Sequence, residues 1–90
     1  MTSPDGESPL NFPTPFPIKV MGRRVDHFAQ AIVEVVREHA PDFDAATLEL
    51  RASRQGNYLS VTATINATSR EQLDSLYRAL TSHPLVKVVL

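Results

Sequence analysis

The sequence predicts an α+β domain in which four strands form one antiparallel sheet and two helices cover one of its faces. Three observations predict it. Residues 58–67 alternate without a break, with Leu59, Val61, Ala63 and Ile65 on one side and Tyr58, Ser60, Thr62, Thr64 and Asn66 on the other. Successive strand side chains point to opposite faces, so strict alternation means a sheet buried on one face only. The apolar spacing also changes twice to a helical period, in residues 25–39 and again in 73–80. Finally, Gly22, Pro41, Gly56 and Pro84 interrupt the patterned segments, which leaves the order β-α-β-β-α-β.

Residues 1–9 hold Ser, Pro, Asp, Gly and Glu and read as a disordered tail. The single domain spans residues 10–90 and begins with a Pro-rich arm, residues 10–17, that carries Leu10, Phe12 and Phe16. Its prolines favour an extended path, and its aromatics predict that it docks on its own domain. Residues 16–21 form the first strand, with Phe16, Ile18 and Val20 inward, and Gly22-Arg23-Arg24 breaks it.

The first helix uses Val25, Phe28, Ala29, Ile32, Val35, Val36 and His39 as its apolar face and stops at Pro41. In the loop that follows, Phe43 is expected to plug the core. Residues 47–53 form the second strand, with Leu48, Leu50 and Ala52 inward. Gly56-Asn57 signals a hairpin turn, since both residues tolerate positive φ. A two-residue turn there, or a four-residue loop from Gln55 to Tyr58, pairs Ala52 with Val61, Leu50 with Ala63 and Leu48 with Ile65, so that inward residues face inward residues.

The second helix starts at Thr68 or Ser69, with Glu71 or Gln72 three residues later in a capping-box pattern, and buries Leu73, Leu76, Tyr77 and Leu80. Residues 85–90 close the chain as a strand with Val86, Val88 and Leu90 inward. Right-handed crossovers then give the strand order 4-1-3-2, the ferredoxin-like fold. The last strand becomes an apolar edge that invites pairing with another chain.

Composition narrows the function. Nine basic and ten acidic residues leave a net charge of −1, without the basic surplus expected of a nucleic-acid binder. There are no cysteines, which removes disulfides, thiolate metal sites and cysteine nucleophiles together. No apolar run reaches membrane-spanning length, so the expectation is a cytoplasmic protein with no membrane contact.

The fold alone decides nothing, because RNA-binding domains, acylphosphatases, metallochaperones and regulatory modules all share it. RNA recognition on such a sheet needs aromatics on the central strands, and the outer positions here are Lys19, Met21, Ser60, Thr62 and Thr64, with Tyr58 only at a strand end. An acylphosphatase needs a phosphate-cradling loop, of which Val20-Met21-Gly22-Arg23-Arg24 is a faint echo without the second glycine. His27, His39 and His83 are scattered and share no metal. No catalytic residue, metal ligand or cofactor site emerges. Two contact surfaces remain: Gly22, Arg23 and Arg24, whose loop is anion-friendly, and the hairpin tip with Arg54, Gly56, Asn57 and Tyr58.

Phe12-Pro13-Thr14-Pro15-Phe16, Lys19-Val20-Met21-Gly22, Val33-Glu34-Val35-Val36 with His39-Ala40-Pro41, Gly56-Asn57-Tyr58, Thr64-Ile65-Asn66-Ala67-Thr68 and Glu71-Gln72-Leu73 together resemble the YbeD family of small bacterial proteins. The similarity covers residues 12–90. It implies a ferredoxin-like fold close to the regulatory ACT domains, and a lipoate-linked regulatory role. The expected function is therefore a non-catalytic regulatory or ligand-sensing module that binds lipoate or a related short acyl carboxylate, with a homodimer open to it. The alternatives are a protein-interaction adaptor using its edge strand or N-terminal arm and, more remotely, an acylphosphatase-like enzyme.

Overall fold

The computed structural model describes residues 11–90, so the expected tail and Leu10 lie outside the described residues. The elements run β1 (Thr14–Arg23), α1 (Phe28–His39), a short 3-10 turn (Ala45–Thr47), β2 (Glu49–Ala52), β3 (Tyr58–Ala67), α2 (Arg70–Thr81) and β4 (Val86–Val89). The sheet order is β2-β3-β1-β4, with every neighbouring pair antiparallel. It is the expected order met from the other edge.

The core lies between the sheet and the two helices. Ile18 and Val20 of β1, and Val61, Ala63, Ile65 and Ala67 of β3, face Phe28, Ile32 and Val36 of α1 and Leu73, Leu76 and Leu80 of α2. All are buried, which is the one-sided burial that the alternation in β3 requires. Phe43 plugs the core as expected and is buried. Phe12 and Phe16 are half-buried against the same cluster.

The proline-rich segment does not stay outside the sheet. β1 starts at Thr14 and pairs with β3 from Thr14↔Ala67 to Arg23↔Tyr58. It therefore runs through Pro15 and Pro17, and it continues past Gly22, where a break was expected. β2 is shorter than expected, because Asp44 caps the 3-10 turn by accepting a hydrogen bond from Ala46 N–H at 3.0 Å, and Leu48 N–H is bonded to Ala45 O.

The hairpin register is displaced by two residues. Ala52 faces Leu59 and Leu50 faces Val61. Ser53 is opposite Tyr58 across a four-residue loop at 54–57, with Ser53 N–H donating to Tyr58 O at 2.9 Å. The even loop keeps inward residues opposite inward ones, but its position differs because Ser53 also binds Tyr58 through its side chain. Its Oγ accepts from Tyr58 N–H at 3.1 Å.

In β4 the expected facing is reversed over half its length. Gly22 pairs with Val86, but Met21 pairs with Val88 and Val20 with Val89. Lys87 is an extra residue, and a bulge of this kind flips every side chain beyond it. Val86 and Val89 therefore pack against the core, while Val88 and Leu90 are exposed. β2 shows a second departure. Leu50 shares the helix-side face with Val61, yet it is 55 % exposed, because it lies on an edge strand.

Candidate functional site

β1 and the β2–β3 hairpin bring the two expected contact surfaces together at one end of the sheet. Arg23 is paired with Tyr58 in the ladder, and Arg24 N–H donates to Asn57 O at 3.0 Å. Gly56 turns the hairpin with φ +78°, a conformation that glycine adopts without strain, and its N–H donates to Ser53 O at 2.9 Å. The Arg24 guanidinium lies over this turn, with Nη1 3.4 Å from where a β-carbon on Gly56 would stand.

These contacts enclose an open cleft of about 430 Å³ lined by Arg23, Arg24, Val25, Gly56, Asn57 and Tyr58. Two arginines line it and no acidic residue does, so it is a cationic cleft, with Val25 and Tyr58 as its larger apolar and aromatic neighbours. Arg54 borders the adjoining groove with Gln55, Asn57 and Tyr58. Val25 was expected only as part of the first helix's apolar face. It lies instead in the connection before α1, and only its adjacency to Arg24 hinted at a place in the cleft.

Gly22 does not line the cleft. It is buried within β1, where the Phe28 ring at the start of α1 packs directly against it. The main-chain amides of Arg24 and Val25, the two connection residues that line the cleft, are already engaged: Arg24 N–H bonds Asn57 O, and Val25 N–H bonds Arg23 O at 2.9 Å. An anion in the cleft would therefore meet side chains. Guanidinium forks suit a carboxylate, which they can bind through two parallel hydrogen bonds.

Among the described residues no three His, Cys, Asp or Glu side chains come together as a metal site. No helix among them is long and apolar enough to cross a membrane.

Residues 7–90 match the model of a family described as proteins of unknown function, DUF493. A UPF0250 protein of Ralstonia nicotianae is 54% identical over 88 residues, covering 98% of this chain and 91% of the relative. A UPF0250 protein of Bordetella pertussis is 56% identical over 87 residues, covering 97% and 96%. Among solved structures, the crystal structure of the ACT domain from GTP pyrophosphokinase of Chlorobium tepidum is similar with a TM-score of 0.64 at 20% identity, covering 86% of this chain and 97% of that one. The solution structure of the same domain gives a TM-score of 0.66 at 18% identity. The structural likeness establishes the ferredoxin-like, ACT-like fold, and the sequence matches settle the relationship: this chain belongs to the DUF493 (UPF0250) family, of which YbeD is a member.

Proposed function

We propose that the protein is a non-catalytic regulatory or ligand-sensing module that binds a small carboxylate, lipoate or a related short acyl acid, in the cleft between β1 and the hairpin tip. The observation that carries this reading is the convergence of Arg23 and Arg24 with Gly56, Asn57 and Tyr58 around one cleft. The carboxylate would be held by the two guanidinium groups, and the acyl chain would lie on Val25 and the Tyr58 ring. Gly22 contributes from below, by letting β1 and α1 approach. The ACT-like fold supports a module of this kind, and no residue set in the cleft forms a nucleophile and base pair.

Titration calorimetry with lipoate and with octanoate tests the reading. Saturable heat is expected for the native chain and its loss for Arg23→Ala and Arg24→Ala. No heat at millimolar ligand would overturn it.

A second reading, a protein-interaction adaptor acting through an edge strand, is favoured by one observation. The β2 edge carries Leu50 on its helix-side face with more than half of its surface in solvent.

A further inference from the structure

We infer that β2 is a self-complementary edge through which two copies of this chain pair, antiparallel, into one continuous sheet. The inference is independent of the carboxylate reading, since it rests on a different strand.

The main chain of this edge can be followed residue by residue. Ser53 and Tyr58 form a hydrogen-bonded position, marked by the 2.9 Å bond from Ser53 N–H to Tyr58 O. Hydrogen-bonded and non-bonded positions alternate along an antiparallel ladder, so Arg51 and Glu49 also turn their main-chain groups toward β3. Leu50 and Ala52 turn theirs toward the free edge. The carbonyl of Leu48 points the same way, while its N–H is held by Ala45 O at 3.2 Å.

A two-fold axis through Leu50 satisfies this edge. Leu50 exchanges both main-chain bonds with Leu50 of the second copy, and Ala52 N–H meets the Leu48 carbonyl of the second copy, once in each direction. On the helix side, the 55 % exposed Leu50 is covered by its own counterpart, and Leu48 aligns with Ala52. On the open side, Glu49 falls opposite Arg51 of the second copy, and Arg51 opposite Glu49. These are non-hydrogen-bonded positions, where facing side chains approach most closely.

The charges also exclude the neighbouring registers. Moving the axis one residue along the strand sets Arg51 against Arg51, and moving it back sets Glu49 against Glu49. Opposite charges attract in one register and like charges oppose each other in the flanking two, which is how a short strand selects a unique partner alignment. The resulting interface uses the same patch on both copies, as two-fold symmetry requires. The other edge, β4, is unlike it: the bulge at Lys87 disrupts the ladder and blunts that edge.

Sedimentation of the full chain over a range of concentrations tests the inference. The native chain is expected to dimerise, and Arg51→Glu or Glu49→Arg alone to weaken the dimer roughly tenfold or more, since both charge pairs become like-charged. Mixing the two single variants is expected to restore association as a heterodimer, because every Glu then faces an Arg again; that rescue also shows both variants are folded. The double variant Glu49→Arg/Arg51→Glu is expected to dimerise by itself. A native chain that stays monomeric at submillimolar concentration overturns the inference. So does a dimer indifferent to Arg51→Glu, or a mixture of single variants that fails to associate when the double variant also stays monomeric.

Discussion

The Phe28 ring occupies the space that a side chain on Gly22 would need. A β-carbon there would stand 2.5 Å from Cε1 and 2.8 Å from Cζ of Phe28, and would also meet the Leu85 carbonyl oxygen. The glycine thus lets the first residue of α1 rest directly on β1, beside the strand end that carries Arg23 and Arg24. Gly22→Ala is expected to destabilise the domain by about 1–3 kcal/mol, the usual cost of overpacking a filled core. Urea unfolding measures it, and an unchanged midpoint would mean that both the Phe28 ring and the main chain at Leu85 have room to move aside.

The start of α2 depends on a reciprocal pair. Gln72 N–H donates to Ser69 Oγ at 3.1 Å, while Gln72 Oε1 accepts from Thr68 N–H at 2.7 Å. Gln72 Nε2 also donates to the carbonyl of His39 at 2.8 Å, joining this end of α2 to the end of α1. Ser69→Ala is expected to cost about 1 kcal/mol. Gln72→Ala is expected to cost about 1–3 kcal/mol, because it also leaves the part-buried His39 carbonyl without its donor. Thermal or chemical unfolding of the two variants side by side checks the order.

Tyr77 meets Phe16 edge-on, with ring centroids 6.5 Å apart and planes at 90°. Burial raises its phenol above the ordinary value of 10.0, because the charged form is poorly solvated there. The folded state therefore holds this proton more tightly than the unfolded chain does. The associated stability is complete below the ordinary value and is lost as pH rises through the folded value. In a Tyr58→Phe variant Tyr77 is the sole tyrosine, and its ultraviolet titration is expected to lie above 10.0. Tyr77→Phe is expected to reduce the alkaline fall in stability; a fall of equal steepness in that variant would assign it to other groups.

Arg24 holds the hairpin tip through its main chain and faces the cleft with its side chain, so the two roles separate by mutation. Arg24→Ala keeps the bond from its N–H to Asn57 O and is expected to change stability by no more than about 0.5 kcal/mol. Carboxylate binding is expected to weaken roughly tenfold or more, as the loss of a hydrogen bond to a charged group implies. Unfolding and calorimetry on one preparation test both halves. Binding that survives Arg24→Ala and Arg23→Ala together would remove the cleft from consideration.

Local chemistry made the fold legible. Alternation in 58–67 marked β3, apolar spacing marked both helices, and the punctuation by Pro41, Gly56 and Pro84 separated the elements, whereas Gly22 lies inside β1. What local pattern did not reveal was geometry set by a neighbour. Val86, Val88 and Leu90 alternate as an inward set, but the bulge at Lys87 turns the last two outward and packs a half-buried Val89 against the core instead. A bulge depends on the strand opposite, which periodicity within one strand does not describe. Leu50 likewise has the spacing of a core residue and remains exposed, because coverage depends on where the helices lie.

The candidate site divides in the same way. By itself the sequence determined the residue types at its two halves: arginines after Gly22, and a Gly-Asn turn followed by Tyr58. Only the tertiary structure decided that the halves meet. The pairing of Arg23 with Tyr58 is set by the full length of the β1–β3 ladder, which starts far away at Thr14 and Ala67. It also removed Gly22 from the cleft and engaged the amides of Arg24 and Val25, leaving the two arginine side chains as its cationic groups. Residue identity is local, whereas convergence is a property of register. Register is decided by the strand pairing and packing of the whole sheet, which no short segment contains.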